Sequence, residues 1–502
     1  MKTTIAYSII ASICVVLTFT ACEKLGDFGD TNVNPSKVSY PETSALLTNV
    51  LSGLGLYSTP EVGPGNLSFP AGVYCQYFAE NFYVYNGTYD DLKFSPMDNY
   101  SGDLYDLQNI INLNSDQSTQ IEAAKYGPNE NQIAIARILK VYIYWILTDC
   151  WGDIPYSDAL KEDANVNYDT QEFIYQDLLN ELEEVVEQSL SENIVEGDIV
   201  YSGDIAIWKR LANSMRLLIS LRLSKQYPLH EDYAASQFRS ALEHEAGHIE
   251  SNEDNFQVVY PGGNFKNPYF RLYDNSIGYV GESATMTSLL GSLNNDLRQT
   301  VFGADASGAP SDLGIPVGIK HPDNKNWCEA NPTYCYILHP NYREQSDPLF
   351  LITTSQVFLA RAEAADQGWT SETANTGVLY QEGISQSFLQ WGLAAPDAAY
   401  FSHANVALPE PPGTGANIAQ IATQQYIAYY PSGVQGWCNW RRTGYPLLQP
   451  APDAVNSPPS IPRRFKYGLL DYELTPEAVD EAVARLPGGD KIESRVWWDN
   501  EN

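Results

Sequence analysis

The segment from His244 to His248, HEAGH, has the pattern of a zinc peptidase. In that class two histidines one helical turn apart bind Zn²⁺, and the glutamate between them, here Glu245, acts as general base. The preceding residues, YAASQFRSALEHE, predict a helix that stops at Gly247, because glycine is favoured just past a helix end. We therefore expect His248 to leave the face that His244 occupies. The pattern then marks a capped helix end, and neither a metal nor another cofactor is expected.

Aromatic residues in segments rich in Gly, Pro and Asn form a second group of candidates. The stretch 255–350 has this composition, which predicts loops and short strands of the kind that carry binding surfaces. Tyr and Trp offer flat faces to the C–H side of a sugar ring, and Asn, Asp and Gln can bond its hydroxyl groups. The candidates here are Phe265, Tyr269, Phe270, Trp327 and Tyr334. Each of these rings could instead belong to the core.

Two adjacent arginines, Arg441 and Arg442 in GWCNWRRTGYP, could bind an anionic sugar. In a chain this acidic, we expect them instead to pair with buried carboxylates such as Asp149 or Asp153.

Helical periodicity dominates the rest of the chain. The segments NQIAIARILKVYIYWILTD and DIAIWKRLANSMRLLISLRLS each place their apolar residues on one face, and Asp204 is suited to cap the second helix. Further helices are predicted at 43–57, 67–85, 99–114, 171–189, 231–246, 352–367, 374–391, 415–429 and 475–485. We predict a mainly α fold, in which a tetratricopeptide-like scaffold of stacked helical hairpins carries a loop-rich, partly irregular ligand-binding half.

The composition limits the classes of partner. The 502 residues include 29 basic and 62 acidic side chains, a net charge of −33. This charge argues against binding nucleic acid, whose phosphates require Lys and Arg, and against adsorption to an anionic membrane. With 44% hydrophobic residues, the chain can bury a large core.

The N-terminus predicts export and lipid anchoring. A short basic start precedes an apolar run that ends at Phe19, and small residues then lead directly into Cys22. The run is too short to span a bilayer, which needs about 20 apolar residues. We predict a lipoprotein signal peptide over 1–21, a lipid on Cys22 and a flexible tether over 22–41. An ordinary cleaved signal with an incidental cysteine is the alternative.

Five cysteines lie beyond the anchor. Cys328 and Cys335, in the loop-like WCEANPTYC, are close in sequence and belong to an exported chain, so we predict a disulfide between them. Two free loop thiols are the alternative.

Four segments, spread in order over the chain, resemble one family. They are ARILKVYIYWILTDCWGDIPYSDAL, IWKRLANSMRLLISLRLS, SQVFLARAEAADQGW and the C-terminal run from QQYIAYYPSGVQGWCNWRRTGYP through IPRRFKY to PGGDKIESRVWWDN. Together with the early TNVNPS, they resemble the SusD/RagB-like lipoproteins of Bacteroidota, in the branch that carries a TDxWGDxPYS segment and ends in VWWD.

The resemblance implies a nutrient-binding protein on the outer face of the outer membrane, held there by its lipid alone. Such a protein captures an oligosaccharide, or in some cases a peptide, and delivers it to a SusC-like TonB-dependent barrel without catalysing a reaction. Tyr83, Tyr85 and Asn86 hold a position comparable to one that lines the ligand site in this family. The implied organisation is a single body over 42–502, with scaffold helices mainly in 42–254 and 350–392, irregular binding regions at 255–349 and 393–414, and C-terminal helices and a tail over 415–502.

Two other functions stay open. One is a zinc metallopeptidase that uses His244, Glu245 and His248. The other is a helical-repeat scaffold that binds only another protein, which predicts few exposed aromatic rings between residues 255 and 350.

Overall fold

Amphipathic helices packed side by side form most of the described chain. A computed structural model describes residues 41–59, 66–90, 94–161, 166–274 and 278–500. The predicted signal peptide, Cys22 and all of the tether except its last residue lie outside the described residues. The helices are α1 (Thr43–Gly53), α2 (Ser68–Tyr74), α3 (Tyr105–Ser115), α4 (Gln120–Ala123), α5 (Asn129–Trp151), α6 (Gln171–Glu187), α7 (Ile205–Arg222), α8 (Tyr233–Leu242), α9 (Pro268–Asp274), α10 (Ala284–Ser292), α11 (Gln299–Phe302), α12 (Asp323–Ala330), α13 (Thr354–Asp366), α14 (Thr376–Leu389), α15 (Ala398–Phe401), α16 (Ile418–Tyr429), α17 (Gly433–Thr443), α18 (Leu469–Leu474) and α19 (Pro476–Ala484).

Consecutive helices pack against each other as hairpins. Helix α5 packs on α6, α6 on α7, α7 on α8, α13 on α14, and α16 on α17. This arrangement confirms the predicted mainly α fold with a tetratricopeptide-like scaffold. Contacts join Thr43–Asn502 into one unit.

Side-chain caps define where two of these helices begin. The Asp204 carboxylate accepts hydrogen bonds from the amides of Ala206 (2.9 Å) and Ile207 (3.3 Å), as predicted for the start of α7. Helix α13 begins with a capping box, in which Thr353 and Gln356 bond each other's backbone amides.

The predicted helix over 67–85 is only partly correct. Helix α2 ends at Tyr74, Gln76 adopts a left-handed conformation with φ of 62°, and the chain then enters a short strand. Short antiparallel pairs of this kind hold the irregular half together. The strands are β1 (Phe78–Glu80), β2 (Ile154–Pro155), β3 (Tyr168–Asp169), β4 (Phe256–Val259), β5 (Val280–Glu282), β6 (Gly303–Ala304), β7 (Tyr336–Ile337) and β8 (Pro348–Ile352), paired as β1–β5, β2–β3, β4–β8 and β6–β7.

The β1–β5 pair has the largest consequence for function. Its register opposes Phe78 to Glu282 and Glu80 to Val280. The loop that follows β1 is thereby held against the chain that precedes β5, about two hundred residues later in the sequence.

The two arginines of α17 are buried and serve the core. Arg442 donates to Glu363 Oε2 at 2.7 Å, and Arg441 donates to the backbone carbonyls of Asp149 (2.7 Å) and Arg463 (2.6 Å). The expectation that these arginines are structural is confirmed, but their partners differ from the predicted carboxylates of Asp149 and Asp153.

Candidate functional site

The HEAGH segment does not form a metal site. Helix α8 ends at Leu242, four residues before the predicted end at 246, so neither histidine lies on it. His244 Nε2 lies 3.1 Å from Glu187, whereas His248 is buried with its Nε2 3.7 Å from Glu250. In the described ranges, no three His, Cys, Asp or Glu side chains are placed to hold a metal ion.

Exposed aromatic rings instead cluster on the loop that follows β1. The rings of Tyr83 and Tyr85 stack with centroids 6.2 Å apart and planes inclined by 13°. Phe82 packs edge-on to Tyr83 at 4.8 Å, and Tyr279, just before β5, lies 5.8 Å from Tyr83. Tyr83 and Tyr85 are 51% and 53% exposed. We call Phe82, Tyr83, Tyr85 and Tyr279 the tyrosine platform.

A buried carboxylate fixes the platform loop from beneath. Glu80, the last residue of β1, accepts hydrogen bonds from Asn86 Nδ2 (2.9 Å) and from the Gly87 amide (2.8 Å). Burial raises the pKa of Glu80 to about 7. Asn86 therefore supports the loop with its amide nitrogen, and its own Oδ1 is buried without a hydrogen-bond partner among the described residues.

Helix α12 and the turn before it form the wall beside the platform. His321 packs edge-on to Phe82 at 5.2 Å, and the Lys325 ammonium lies 5.7 Å from the centre of the same ring. Asn324 Nδ2 donates to the Phe82 carbonyl at 3.3 Å. Its Oδ1, like that of Asn86, is buried and has no hydrogen-bond partner among the described residues, so neither oxygen is exposed at the surface of the platform.

Trp327 and Tyr334 lie beneath this wall. Trp327, on α12, is partly buried against the small cluster that contains Ala79 and Tyr334. Tyr334 is buried, and its hydroxyl accepts a hydrogen bond from Asn81 Nδ2 at 3.0 Å. The structure thus places Tyr334 against Asn81 at the start of the platform loop, and Trp327 against the cluster that also contains Ala79 of β1.

The predicted disulfide between Cys328 and Cys335 is absent, because both residues are buried free thiols. Cys328 lies on a helix that the loop-like sequence did not predict, and it packs into the same small cluster as Tyr334. The Cys335 thiol donates to the Ser311 carbonyl at 3.1 Å. The two sulfur atoms therefore have different surroundings.

The candidates Phe265, Tyr269 and Phe270 lie apart from the tyrosine platform and differ in exposure. Phe265 is 61% exposed on a tight turn, where it exchanges two backbone hydrogen bonds of 3.1 Å with Gly262. Tyr269 is buried, and its hydroxyl donates to the carbonyls of Ser58 and Pro431, so it presents no face to a ligand. Phe270 is half-buried beside an open cavity.

Sequence reasoning missed three parts of the site: Phe82, Tyr279 and the loop around Asp453. Asp453 Oδ2 accepts from the Lys320 amide at 3.0 Å, and the Val455 amide donates to the Thr88 carbonyl at 2.9 Å. This C-terminal loop therefore braces both the platform loop and the turn that carries His321. The aromatic run NFYVYNGTY could have indicated Phe82. The contacts of Asp453 join residues far apart in the chain, so local sequence could not predict them.

Comparison of the sequence with known protein families identifies one matching family. Residues 35–468 match the SusD-like family model described as starch-binding and associating with the outer membrane. No curated protein matches the chain.

Solved structures share the fold. One, described as a chitin-binding protein, is 25% identical with a TM-score of 0.74, over 91% of this chain and 100% of that one. A SusD homologue from Bacteroides uniformis is 25% identical with a TM-score of 0.72, over 91% and 99% of the two chains. A chitin-binding SusD homologue from Flavobacterium johnsoniae, at 22% identity, has a TM-score of 0.72 over 92% and 99% of the two chains, which shows the fold alone.

Proposed function

The chain belongs to the SusD-like family of outer-membrane-associated, starch-binding proteins, and from this premise we propose that it binds an oligosaccharide and delivers it to a SusC-like TonB-dependent barrel. It acts as a binding protein and catalyses no reaction.

The tyrosine platform is the observation that carries this proposal. Two nearly parallel, half-exposed tyrosine rings offer apolar surface to solvent, and an aromatic face suits the C–H side of a sugar ring. Glu80 holds the loop in place before ligand arrives, which lowers the entropic cost of binding.

Family resemblance and charge support the proposed placement at the cell surface. A lipid on Cys22 would tether the chain to the outer membrane, and the net charge of −33 offers no other attraction to anionic lipid. No helix in the described part of the chain has the length and apolarity needed to cross a membrane. The barrel then supplies the route by which the captured sugar enters the cell.

Affinity electrophoresis of the full mature chain tests the binding function. Gels that contain soluble starch or glycol chitin should retard the protein, and neither polymer should be cleaved. Retardation by neither polymer, or release of shortened products, would contradict the proposal. Membrane sedimentation that is lost in Cys22→Ala, and co-purification of a TonB-dependent barrel from detergent-solubilised outer membranes, test the anchor and the partner.

A further inference from the structure

A second cavity opens beside α9, apart from the tyrosine platform. It has a volume of about 540 Å³ and lies between the turn at Gly262 and Gly263 and the loop that precedes β8. Phe270 and Pro340 supply apolar wall, while Arg343, Glu344 and Ser346 supply polar groups. The proposed function makes no use of this cavity.

Arg343 is the cationic group of this cavity, and it has no acidic partner in the described ranges. Its Nε donates to the Leu338 carbonyl at 2.9 Å, and its terminal nitrogens have no acceptor among the described residues. Arg239 and Arg441, which also form no ion pair there, instead donate their terminal N–H groups to backbone carbonyls. Burial lowers the pKa of the Arg343 guanidinium, the direction expected for a cation whose desolvation is not offset by a carboxylate. Arg343 therefore keeps two terminal nitrogens available for an anion.

The guanidinium is held in a fixed orientation by a row of stacked tyrosines. Arg343 lies 4.2 Å from the centre of the Tyr273 ring, which stacks on Tyr336 at 4.8 Å with planes 21° apart. Tyr336 in turn lies 5.3 Å from Tyr334, which is bonded to Asn81 beneath the tyrosine platform. Tyr273 is itself fixed, since its hydroxyl donates to the Val280 carbonyl and accepts from the Ile337 amide. A series of ring contacts thus runs from Arg343 in the cavity to Tyr334 beside the platform loop.

We propose that this cavity is a second subsite, in which Arg343 binds the carboxylate or sulfate of an acidic sugar unit in the captured glycan. The inference rests on the proposed glycan-binding function and extends it to a charged ligand class. A planar guanidinium with two free terminal nitrogens matches a carboxylate or sulfate through paired hydrogen bonds. Phe270 offers an apolar wall to the sugar ring that carries the charge.

Other charges near the cavity set the selectivity of this subsite. Glu344 lines the same cavity and forms no ion pair with Arg343, so it repels an anion. The Lys266 ammonium lies 4.9 Å from the centre of the Phe270 ring but is paired with Asp274 at 3.0 Å. Among these groups, Arg343 consequently supplies the attraction for an anion.

Calorimetric titration of the full mature chain with trigalacturonate and with its methyl ester tests the proposal, because esterification removes the negative charges and keeps the sugar backbone. The wild-type chain should bind trigalacturonate at least about tenfold more tightly than the ester, the gain typical of a charge-assisted hydrogen bond. Arg343→Gln should abolish this preference and Arg343→Lys should retain part of it. Glu344→Gln should increase the preference, whereas Lys125→Gln, a substitution at an exposed lysine that does not line the cavity, should leave it unchanged.

Several outcomes would overturn the proposal. Equal affinity of the wild-type chain for both probes, or no binding of either, would do so. A preference for trigalacturonate that persists in Arg343→Gln would also overturn it. So would Arg343-dependent binding of a short polyaspartate peptide that is tighter than the binding of trigalacturonate. Loss of the subsite alone leaves retardation by starch or glycol chitin intact, whereas failure of the proposed function removes that retardation too. Equal melting temperatures of the variants and the wild type confirm that the fold is retained.

Discussion

Tyr83 and Tyr85 stack with planes 13° apart although one residue separates them, and about half of each side chain is open to solvent. A hydrophobic core would not leave two such rings uncovered, and the loop that carries them is fixed by a carboxylate from the neighbouring strand. We infer that the two rings form part of a rigid recognition surface.

Glu80→Ala should loosen this surface. The substitution removes the acceptor of the Gly87 amide and of Asn86 Nδ2, and a buried donor without an acceptor costs about 1–3 kcal/mol. Amide hydrogen exchange at residues 83–88 should accelerate, and glycan affinity should fall. Asp305→Ala, in an exposed turn bonded only within itself, is the matched control. Unchanged exchange at residues 83–88 would show that Glu80 does not hold the loop.

Stability should fall with rising pH because of Glu282. Burial raises the pKa of Glu282 to about 8 from an ordinary value of 4.5. Its Oε1 has no hydrogen-bond partner among the described residues, and no cation pairs with it there. The folded state therefore binds the proton more tightly than the unfolded state. The resulting stabilisation is fully present below the unfolded pKa and is lost as pH rises to about 8.

Urea unfolding of Glu282→Gln tests this dependence. The variant should lose less stability than the wild-type chain between about pH 5 and about pH 9, and should be the more stable protein at the upper limit by about 2 kcal/mol or more. Glu80 shifts in the same direction, so some pH dependence should remain. Identical pH profiles for the two proteins would show that Glu282 does not titrate in this range.

Apolar residues at helical spacing were enough to predict several of the helices. Helices α6 and α7 match their predicted ranges closely because their apolar residues repeat at helical spacing. Helix α17 was not predicted, since its sequence, GVQGWCNWRRT, contains two glycines and is buried nearly all round. Those glycines permit close packing: a Cβ at Gly433 would lie 2.0 Å from the Ser68 carbonyl oxygen of α2. Local sequence carries no signal for such a long-range contact.

The sequence indicated the region of the candidate site but not which of its aromatic rings are exposed. Tyr83 and Tyr85 were selected from a resemblance, and the structure exposes both rings. Tyr269 came from an equally aromatic stretch and is buried. Whether an aromatic ring in a loop is covered depends on pairings such as β1 with β5, which join residues about two hundred positions apart. Composition alone therefore cannot distinguish an exposed aromatic ring from a buried one.

Arg442→Met should destabilise the protein strongly. Arg442 and Glu363 form a buried ion pair between α17 and α13, and removal of one partner leaves an uncompensated charge in the core. The expected loss is about 3–5 kcal/mol in the free energy of unfolding. Lys125→Gln breaks an exposed pair with Glu122 and should cost less than about 1 kcal/mol. Similar small losses in both variants would contradict the assignment of this pair to the core.

Reducing agents should not change the melting temperature. All five cysteines in the described chain are buried free thiols, so no disulfide among them contributes to stability. Thiol titration in denaturant without reductant should detect all five. Fewer than five thiols, together with a melting temperature that falls in reductant, would contradict this prediction and indicate a disulfide between Cys328 and Cys335.

The proposed function depends on glycan binding by the tyrosine platform. Isothermal titration of the full mature chain with chitohexaose and maltohexaose, repeated for Tyr85→Ala, tests it most directly. Loss of one stacked ring should weaken binding by about 1 kcal/mol or more, about a fivefold change in affinity. Tyr105→Ala, a substitution of a tyrosine that is 50% exposed on α3, should bind like the wild type. Equal affinities in Tyr85→Ala and the wild type, or no binding of either sugar by the wild type, would contradict the account.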